Sequence, residues 1–325
     1  MPDTETGEQH ATAFDYEVAI VGGGPAGCSA GVFVGRQGLD TVIFDRGRSS
    51  IKRCAYLENY LGFPDGIDIE TLYGLMHEHA ERAGCRFVPD TVASVDRTDD
   101  GGFVVEPQDC EPVTARRVVA ATRYDGTYMR GLDDEAMFET SGGDGEDRTF
   151  DGDYADSDGT TPIEGLYVAS PSAEADMQTI VAAGRGARVA RRVVADARID
   201  DGWWEDVAVG VDWVRREAEL DDEWADRETW VEWFDDYYGE DAPVATGSDR
   251  FQRVREAYID RRESSYVTPG EIEARTGVGH RTLAAHLDVE SVVAAVGEGA
   301  LLDAMDDDAI HEYADPDRRL PEGGD

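Results

Sequence analysis

Six consecutive residues near the amino terminus have the spacing of a phosphate-binding turn. The segment Gly22-Gly23-Gly24-Pro25-Ala26-Gly27 fits the pattern GxGxxG. In that pattern the first glycine permits a tight turn, the second lets backbone approach a pyrophosphate, and the third allows close packing of helix on strand. A helix that begins here also aims its N–H groups at the phosphates. The segment predicts a dinucleotide site whose loop comprises Gly22, Gly24, Pro25, Ala26 and Gly27.

A carboxylate follows at the separation expected of a ribose-binding group. Asp45 ends the next apolar run, 18 residues after Gly27, and about 20 residues is usual in dinucleotide folds. Arg46 follows directly and is included in the predicted site. Taken alone, Asp45 has a second interpretation as a strand-end cap, and the glycines have one as a structural turn. Their combination favours the dinucleotide site.

The segments around these residues predict an α/β fold. Tyr16–Val21 and Thr41–Phe44 are short apolar runs typical of buried parallel strands, and the small residues of 26–36 predict a helix between them. The pattern then predicts an amphipathic helix, a hairpin, two more buried strands and a final helix, at residues 68–84, 86–105, 117–122, 165–169 and 177–197. The fold class is therefore a Rossmann-like parallel sheet with helices and a small β-meander.

Several later segments resemble one flavoprotein family. Residues 58–67 read ENYLGFPDGI and resemble the ENYPGFPxGI segment of the thioredoxin-reductase-like branch of the flavin-dependent pyridine nucleotide oxidoreductases. Residues 121–122 match the start of that family's ATG turn, and residues 165–169 and 178–184 are similar to its last FAD-binding strand and helix. The resemblance implies FAD, with ribose over Asp45, adenine near Val92, and flavin near Asn59 and Gln178. It also implies cofactor contacts at Ala121, Thr122 and Thr179.

The chain departs from that family in its nicotinamide domain. Only 43 residues lie between Thr122 and Leu166, and they contain no second GxGxxG motif. One βαβ unit needs about 30 residues and a domain more often about 100. We therefore expect that this protein does not hold NADPH as the family does. Its reducing equivalents would come from an external electron donor, such as a partner protein or a transiently docked nicotinamide.

The redox cysteines and two cofactor contacts also differ. Cys28, Cys54, Cys85 and Cys110 form no CxxC pair. Cys28 begins a helix, whose dipole favours a thiolate, although a packing role is the stronger interpretation. Cys54 is expected near the flavin. In addition, Arg123 stands where the family has the Gly of ATG, and Ser170-Pro171 replaces the Gly-Asp whose carboxylate binds the flavin ribitol.

The charge of the chain limits its partners. Asp and Glu number 71 against 30 Lys and Arg, giving a net charge of −41. This composition resembles proteins of salt-accumulating halophiles, and it argues against nucleic-acid partners because carboxylates release no counterions from DNA. No run approaches the ~18 apolar residues of a membrane span. The cysteine pattern and the acidic amino terminus favour reduced thiols in the cytoplasm, and the acidic clusters are interpreted as hydrated surface, with no metal site.

The carboxy-terminal part differs in composition. We expect an FAD-binding domain at 15–200, with an acidic loop or small hairpins at 133–163, and an α-helical carboxy-terminal module at 201–314. Residues 1–14 and 315–325 are predicted to be disordered tails. All six Trp lie between residues 203 and 233, and we interpret them as a helical core or, alternatively, as a lid over a pocket. Residues 268–287 resemble a helix-turn-helix with a turn at 276–278.

These features support three functional hypotheses. The first is an FAD-dependent oxidoreductase related to thioredoxin reductases, in which an external donor reduces the flavin. The second is a non-catalytic scaffold or sensor that binds FAD or another nucleotide. The third is a flavin-linked regulator that uses the helix-turn-helix. No catalytic acid, base or nucleophile is identified, and a homo-oligomer is left open.

Overall fold

The computed structural model describes residues 14–140, 148–172, 178–210, 212–220 and 224–314. The chain divides into two compact units, Met1–Ile272 and Glu273–Asp325. The domain boundary proposed at residue 200 stays a prediction. The predicted tails, apart from residue 14, lie outside the described residues.

A seven-stranded sheet forms the centre of the first unit. Its strands are β1 Tyr16–Val21, β2 Thr41–Phe44, β5 Cys85–Val88, β6 Val92–Arg97, β7 Phe103–Pro107, β8 Val113–Ala121 and β11 Leu166–Ser170. Their order is β5-β2-β1-β8-β7-β6, with β11 beside β8. The strands β5, β2, β1, β8 and β11 pair in parallel, whereas β7 pairs antiparallel with both β6 and β8. The predicted Rossmann-like α/β sheet with a small meander is confirmed.

Both faces of the sheet are buried. Neighbouring side chains along each strand point to opposite faces, so each of the parallel strands contributes to two core clusters. Val18 and Ile20 of β1 face one core cluster, while Ala19 and Val21 face another. The first cluster is covered by helices α1 Pro25–Gly35, α2 Ile69–Arg82 and α4 Thr179–Asp200. Burial on both sides explains the uninterrupted apolar runs in the sequence.

The segment between β8 and β11 is short and locally folded. It contains α3 Arg130–Met137 and the antiparallel hairpin of β9 Phe138–Thr140 with β10 Arg148–Phe150. Phe138 and Phe150 meet edge-to-face, with ring centroids 5.7 Å apart. Before α2, a further small pair joins β3 Tyr56–Leu57 to β4 Ile67–Asp68.

The rest of the first unit is built around an aromatic core. It contains α5 Glu205–Ala208, β12 Arg215–Arg216, α6 Arg227–Tyr238, α7 Asp249–Glu263 and β13 Tyr266–Val267. Phe234 and Phe251 are fully buried and pack with Trp204. This arrangement agrees with the interpretation of the Trp-rich stretch as a helical core.

The proposed helix-turn-helix is wrong, because α8 Pro269–Ala284 continues through the expected turn. Thr268 and Glu271 form a reciprocal capping box at its start, with the Glu271 N–H donating to Thr268 Oγ1 at 3.2 Å. Gly277 and Gly279 lie in the interior of α8, where each costs about 1 kcal/mol relative to alanine. The helix nevertheless continues through both. The chain continues through α9 Val289–Val296, α10 Glu298–Ala304 and α11 Asp307–Ala314. Across the described ranges, no helix combines the length and the apolar character needed to span a membrane.

Candidate dinucleotide site

The glycine motif forms a tight turn between β1 and α1. Gly22 has φ +114°, a conformation that glycine adopts without the steric cost of a side chain. A Cβ on Gly22 would overlap the Ala121 carbonyl of β8, and one on Gly27 would overlap the Gly22 carbonyl. Only a glycine at position 22 therefore lets the turn pack against β8. It directs the amino-terminal end of α1 toward the carboxyl edge of the sheet.

A cavity of about 230 Å³ opens at this edge. It lies where the chain leaves β1 and β8, the two adjacent strands from which the sheet extends in opposite directions. Ligands of open α/β sheets bind at such a switch point. Eleven of the thirteen predicted cofactor residues line it: Gly22, Gly24, Pro25, Ala26, Asp45, Arg46, Val92, Ala121, Thr122, Gln178 and Thr179.

The remaining two residues, Gly27 and Asn59, do not line the cavity. Gly27 lies behind the loop, where it allows α1 to approach β1. Asn59 is exposed, and its Nδ2 donates at 2.9 Å to Oε1 of Gln178, which lines the cavity. The two residues expected near the flavin therefore meet, although 119 positions separate them in the chain.

Asp45 is held by three donors. The Tyr73 hydroxyl donates to Oδ2, His77 Nε2 lies 3.2 Å from the same oxygen, and the Gly47 N–H donates to Oδ1 at 2.9 Å. Burial by itself would raise the pKa of Asp45, but the hydrogen bonds from His77, Tyr73 and Gly47 together lower it. Asp45 is therefore an anion in the folded protein. Its Oδ1 retains a lone pair for a further donor, such as a ribose hydroxyl.

His77 links α2 to the glycine loop. Its ring lies 4.3 Å from the rings of both Tyr73 and Phe87, and its Nε2 is 3.1 Å from the Gly23 carbonyl oxygen. Sequence reasoning missed both His77 and Tyr73 as site residues. Their spacing of four places them on one face of α2, which is the signal that the sequence offers. The sequence does not show that this face contacts Asp45, because that contact is set by the tertiary fold.

Arg123 lies at the position where the resemblance predicts a glycine, whose backbone would approach the cofactor closely. It has φ +67°, its N–H donates to Ser170 Oγ at 2.9 Å, and its guanidinium donates to Ser50 Oγ at 2.6 Å. The guanidinium also stacks 4.5 Å from the Tyr124 ring centroid. The side chain therefore connects the end of β8 with the loop after β2 and forms part of the cavity wall.

The cysteines divide into two classes. Cys28 and Cys85 are buried, while Cys54 and Cys110 are exposed. Burial, with a smaller contribution from the Asp45 charge, raises the pKa of Cys28 well above its usual range. Its Sγ donates to the Gly23 carbonyl at 3.2 Å, so Cys28 is a protonated packing residue and not a helix-activated thiolate. Cys54 lines the cavity, close to where the flavin is expected.

The comparisons with known proteins agree with this geometry. Residues 16–135 match the family model described as pyridine nucleotide-disulphide oxidoreductase. The chain is 37% identical over 86 residues to a thioredoxin reductase of Streptomyces clavuligerus, and 28% identical over 134 residues to one of Dictyostelium discoideum. The first match covers 26% of this chain and 27% of the relative, and the second covers 39% and 42%. The chain thus matches less than half the length of either relative.

Solved structures show a looser likeness. A thioredoxin reductase from Gloeobacter violaceus is 18% identical with a TM-score of 0.48, and the match covers 62% of this chain and 99% of that one. Residues 16–135 are thus similar to the pyridine nucleotide-disulphide oxidoreductase family, and the sequence relatives described above are thioredoxin reductases.

Proposed function

We propose that the cavity at the carboxyl edge of the sheet binds FAD and that the protein is a flavin-dependent oxidoreductase. The observation that supports this most strongly is the convergence of four chain segments on one cavity. The glycine loop, the end of β2, the end of β8 and the start of α4 all contribute walls. These are the segments that the motifs assigned independently to a dinucleotide.

The residues present fit this cofactor at most positions. The glycine loop and the start of α1 offer backbone N–H groups to a pyrophosphate, and Asp45 retains an acceptor for ribose. The Gln178–Asn59 pair lies beside the space expected for the flavin. When bound, FAD would supply electron transfer, and the chain would supply binding and orientation. Two positions are exceptions. The Arg123 side chain fills space that glycine would leave open, and Ser170-Pro171 lacks the carboxylate that the resemblance places on the flavin ribitol.

The source of electrons follows from the segment between β8 and β11. The described residues of that segment form a short helix and a two-stranded hairpin, which is much less than a nucleotide-binding domain. An external donor, a redox partner protein or a transiently docked nicotinamide, would therefore reduce the flavin. The four free thiols are consistent with the cytoplasmic location that we propose.

A visible spectrum of the purified protein, recorded in concentrated salt, tests the cofactor. We expect flavin absorbance in a one-to-one ratio, or uptake of added FAD to that ratio. A colourless protein that fails to take up FAD would contradict the proposal. The alternative of a non-catalytic scaffold would then be favoured.

We expect removal of the Arg123 side chain to strengthen FAD binding. Arg123→Ala should lower the FAD Kd several-fold, because it clears the cavity wall. Arg123→Gly should add about 1 kcal/mol of stability over Arg123→Ala, because it relieves a left-handed backbone position. FAD titration and denaturant unfolding of both variants measure the two effects. Weaker FAD binding in both would instead mean that the guanidinium pairs with a phosphate.

FAD should also protect one thiol. Cys54 lines the cavity and is exposed, whereas Cys110 is exposed and does not line it. We expect saturating FAD to slow maleimide labelling of Cys54 at least fivefold, by steric cover, without changing the rate at Cys110. Mass spectrometry of digested samples measures each rate, and Cys28 and Cys85 should react only after unfolding. Equal protection of Cys54 and Cys110 would contradict a local effect at the cavity.

A further inference from the structure

A second cavity, of about 260 Å³, lies in the first unit away from the glycine loop. We call it the arginine pocket. It is formed by the carboxyl half of α4, the residues after it and the end of α7, and shares no lining residue with the dinucleotide cavity. Its charged and aromatic walls are Arg191, Arg198, Arg215, Arg261, Arg262, Trp203, Trp213, Tyr238 and Tyr258.

Five arginines in one cavity are unexpected in a chain where acids outnumber bases by 71 to 30. Other arginines form several ion pairs with carboxylates: Arg227 contacts three and Arg192 contacts two. By contrast, the described residues that line the arginine pocket include no Asp or Glu. Within the described chain, none of its five arginines forms an ion pair with a carboxylate. The pocket therefore concentrates positive charge that its own walls do not neutralise.

Two of these arginines share a neutral acceptor. Arg198 donates to Gln37 Oε1 at 2.8 Å, and Arg261 donates to the same oxygen. Asp212, whose charge acts on both Arg198 and Arg261, is held by Arg36 through two hydrogen bonds of 2.5 and 2.9 Å. Burial, together with the charge of Arg261, lowers the pKa of Arg198 to about 10, although Asp212 opposes this effect. An anion in the pocket would relieve this repulsion.

The remaining walls suit a flat ring. The Trp213 side chain is 65% exposed, although Trp is a residue that usually buries most of its surface. Two pocket guanidiniums already lie over aromatic faces, Arg198 at 5.5 Å from Trp203 and Arg262 at 5.6 Å from Tyr258. Aromatic faces and guanidinium planes both stack on planar conjugated groups. Charge and shape therefore indicate the same kind of ligand.

We propose that the arginine pocket binds a small organic phosphate that carries a planar ring, which is the chemistry of a nucleoside monophosphate. Arginine recognises phosphate through two parallel N–H···O bonds. Within the described residues Arg198 and Arg261 donate hydrogen bonds to protein oxygens, whereas Arg191 and Arg262 form no side-chain hydrogen bond there. The exposed indole of Trp213 would cover the ring. This site is independent of FAD binding at the glycine loop.

The test is a calorimetric titration with AMP, adenosine and inorganic phosphate at fixed ionic strength. The titration is done with and without saturating FAD. Any AMP binding at the glycine loop is then recognised, because FAD abolishes it. The key variant is the double substitution Arg191→Gln/Arg262→Gln. Arg188→Gln is the matched control, since Arg188 is an exposed arginine one turn earlier on α4 and does not line the pocket. Circular dichroism and the Tm verify that each variant folds.

We expect AMP to bind at least tenfold more tightly than either adenosine or phosphate, whether or not FAD is present. The double variant should weaken AMP binding by about tenfold or more, Trp213→Ala should weaken it several-fold, and Arg188→Gln should change it less than twofold. The absence of saturable AMP binding, or binding that the double variant leaves unchanged, would overturn the site. Phosphate binding as tightly as AMP, with no effect of Trp213→Ala, would overturn the ring-bearing ligand.

Discussion

Gly186→Ala lowers the free energy of unfolding by about 2–3 kcal/mol, the upper part of the range for inserting a methyl group into a packed contact. Gly184→Ala, two residues earlier in α4, raises it by up to about 1 kcal/mol, because alanine is the better helix former. The same substitution in the same helix therefore has opposite effects. The difference lies in what each added methyl group meets.

A Cβ on Gly186 would overlap the carbonyl oxygen of Ala26, where α4 crosses the first turn of α1. That backbone cannot easily move away, because the following residue, Gly27, is packed against the Gly22 carbonyl. A Cβ on Gly184 would have no atom within 4 Å and would point to solvent. Since Ala26 is part of the cavity wall, Gly186→Ala should also weaken FAD binding, whereas Gly184→Ala should leave it unchanged.

Denaturant unfolding of both variants in the same high-salt buffer measures the stability difference, and FAD titration measures the second effect. Tyrosine and tryptophan fluorescence follow the unfolding without labels. If both glycines behave alike, the close crossing of α1 and α4 does not exist in solution. If stability changes as expected while FAD binding does not, the crossing is correct but has no influence on the cofactor site.

The elements next to the glycine motif were predictable because their signals are local. The bounds of β1 and β2 follow from unbroken apolar runs that end at glycine or Asp45, and α1 is fixed by Pro25 at its first turn. The hairpin of β6 and β7 follows from Gly101, whose φ is +86°. Each of these signals is contained within about ten residues, so no knowledge of the tertiary fold was needed.

The contacts that sequence reasoning missed join segments far apart in the chain. Tyr73 and His77 meet Asp45 across 28 and 32 positions, and Gln37 meets Arg261 across 224. The helix-turn-helix failed for the opposite reason, because a local glycine signal was given too much weight. A glycine marks a turn only when the backbone needs a positive φ, and within α8 it does not.

Asp45→Ala should remove about 1–3 kcal/mol of stability, because it leaves the Tyr73 hydroxyl and His77 without their shared acceptor. It should also weaken FAD binding at least about tenfold, which corresponds to about 1.4 kcal/mol, because the ribose loses its carboxylate. Asp45→Asn should have a smaller effect on stability at neutral pH. Its amide oxygen can still accept one hydrogen bond, whereas its NH₂ group cannot accept from Gly47 or His77.

The pH dependence separates the charge from the hydrogen bonds. The pKa of Asp45 is lower in the folded protein than in the unfolded chain, where it is near 3.9. The unfolded chain therefore binds more protons near pH 4, and the contribution of Asp45 is complete above that value. It is lost as the pH falls through the folded pKa. The stability gap between the wild type and Asp45→Asn should consequently be larger at pH 7 than at pH 3.

Because the chain contains 71 acidic residues, only differences between variants isolate Asp45. Denaturant unfolding from pH 3 to 7 at constant salt is measured for the wild type, Asp45→Asn and Asp100→Asn. Asp100 is an exposed acid in the turn between β6 and β7, so its substitution reports the loss of one surface charge. If the gap for Asp45→Asn follows that for Asp100→Asn at every pH, Asp45 is solvated and the network with Tyr73 and His77 does not stabilise its charge. A gap that closes only for Asp45→Asn as the pH falls would show that the glycine loop is anchored to α2 through an ionised carboxylate.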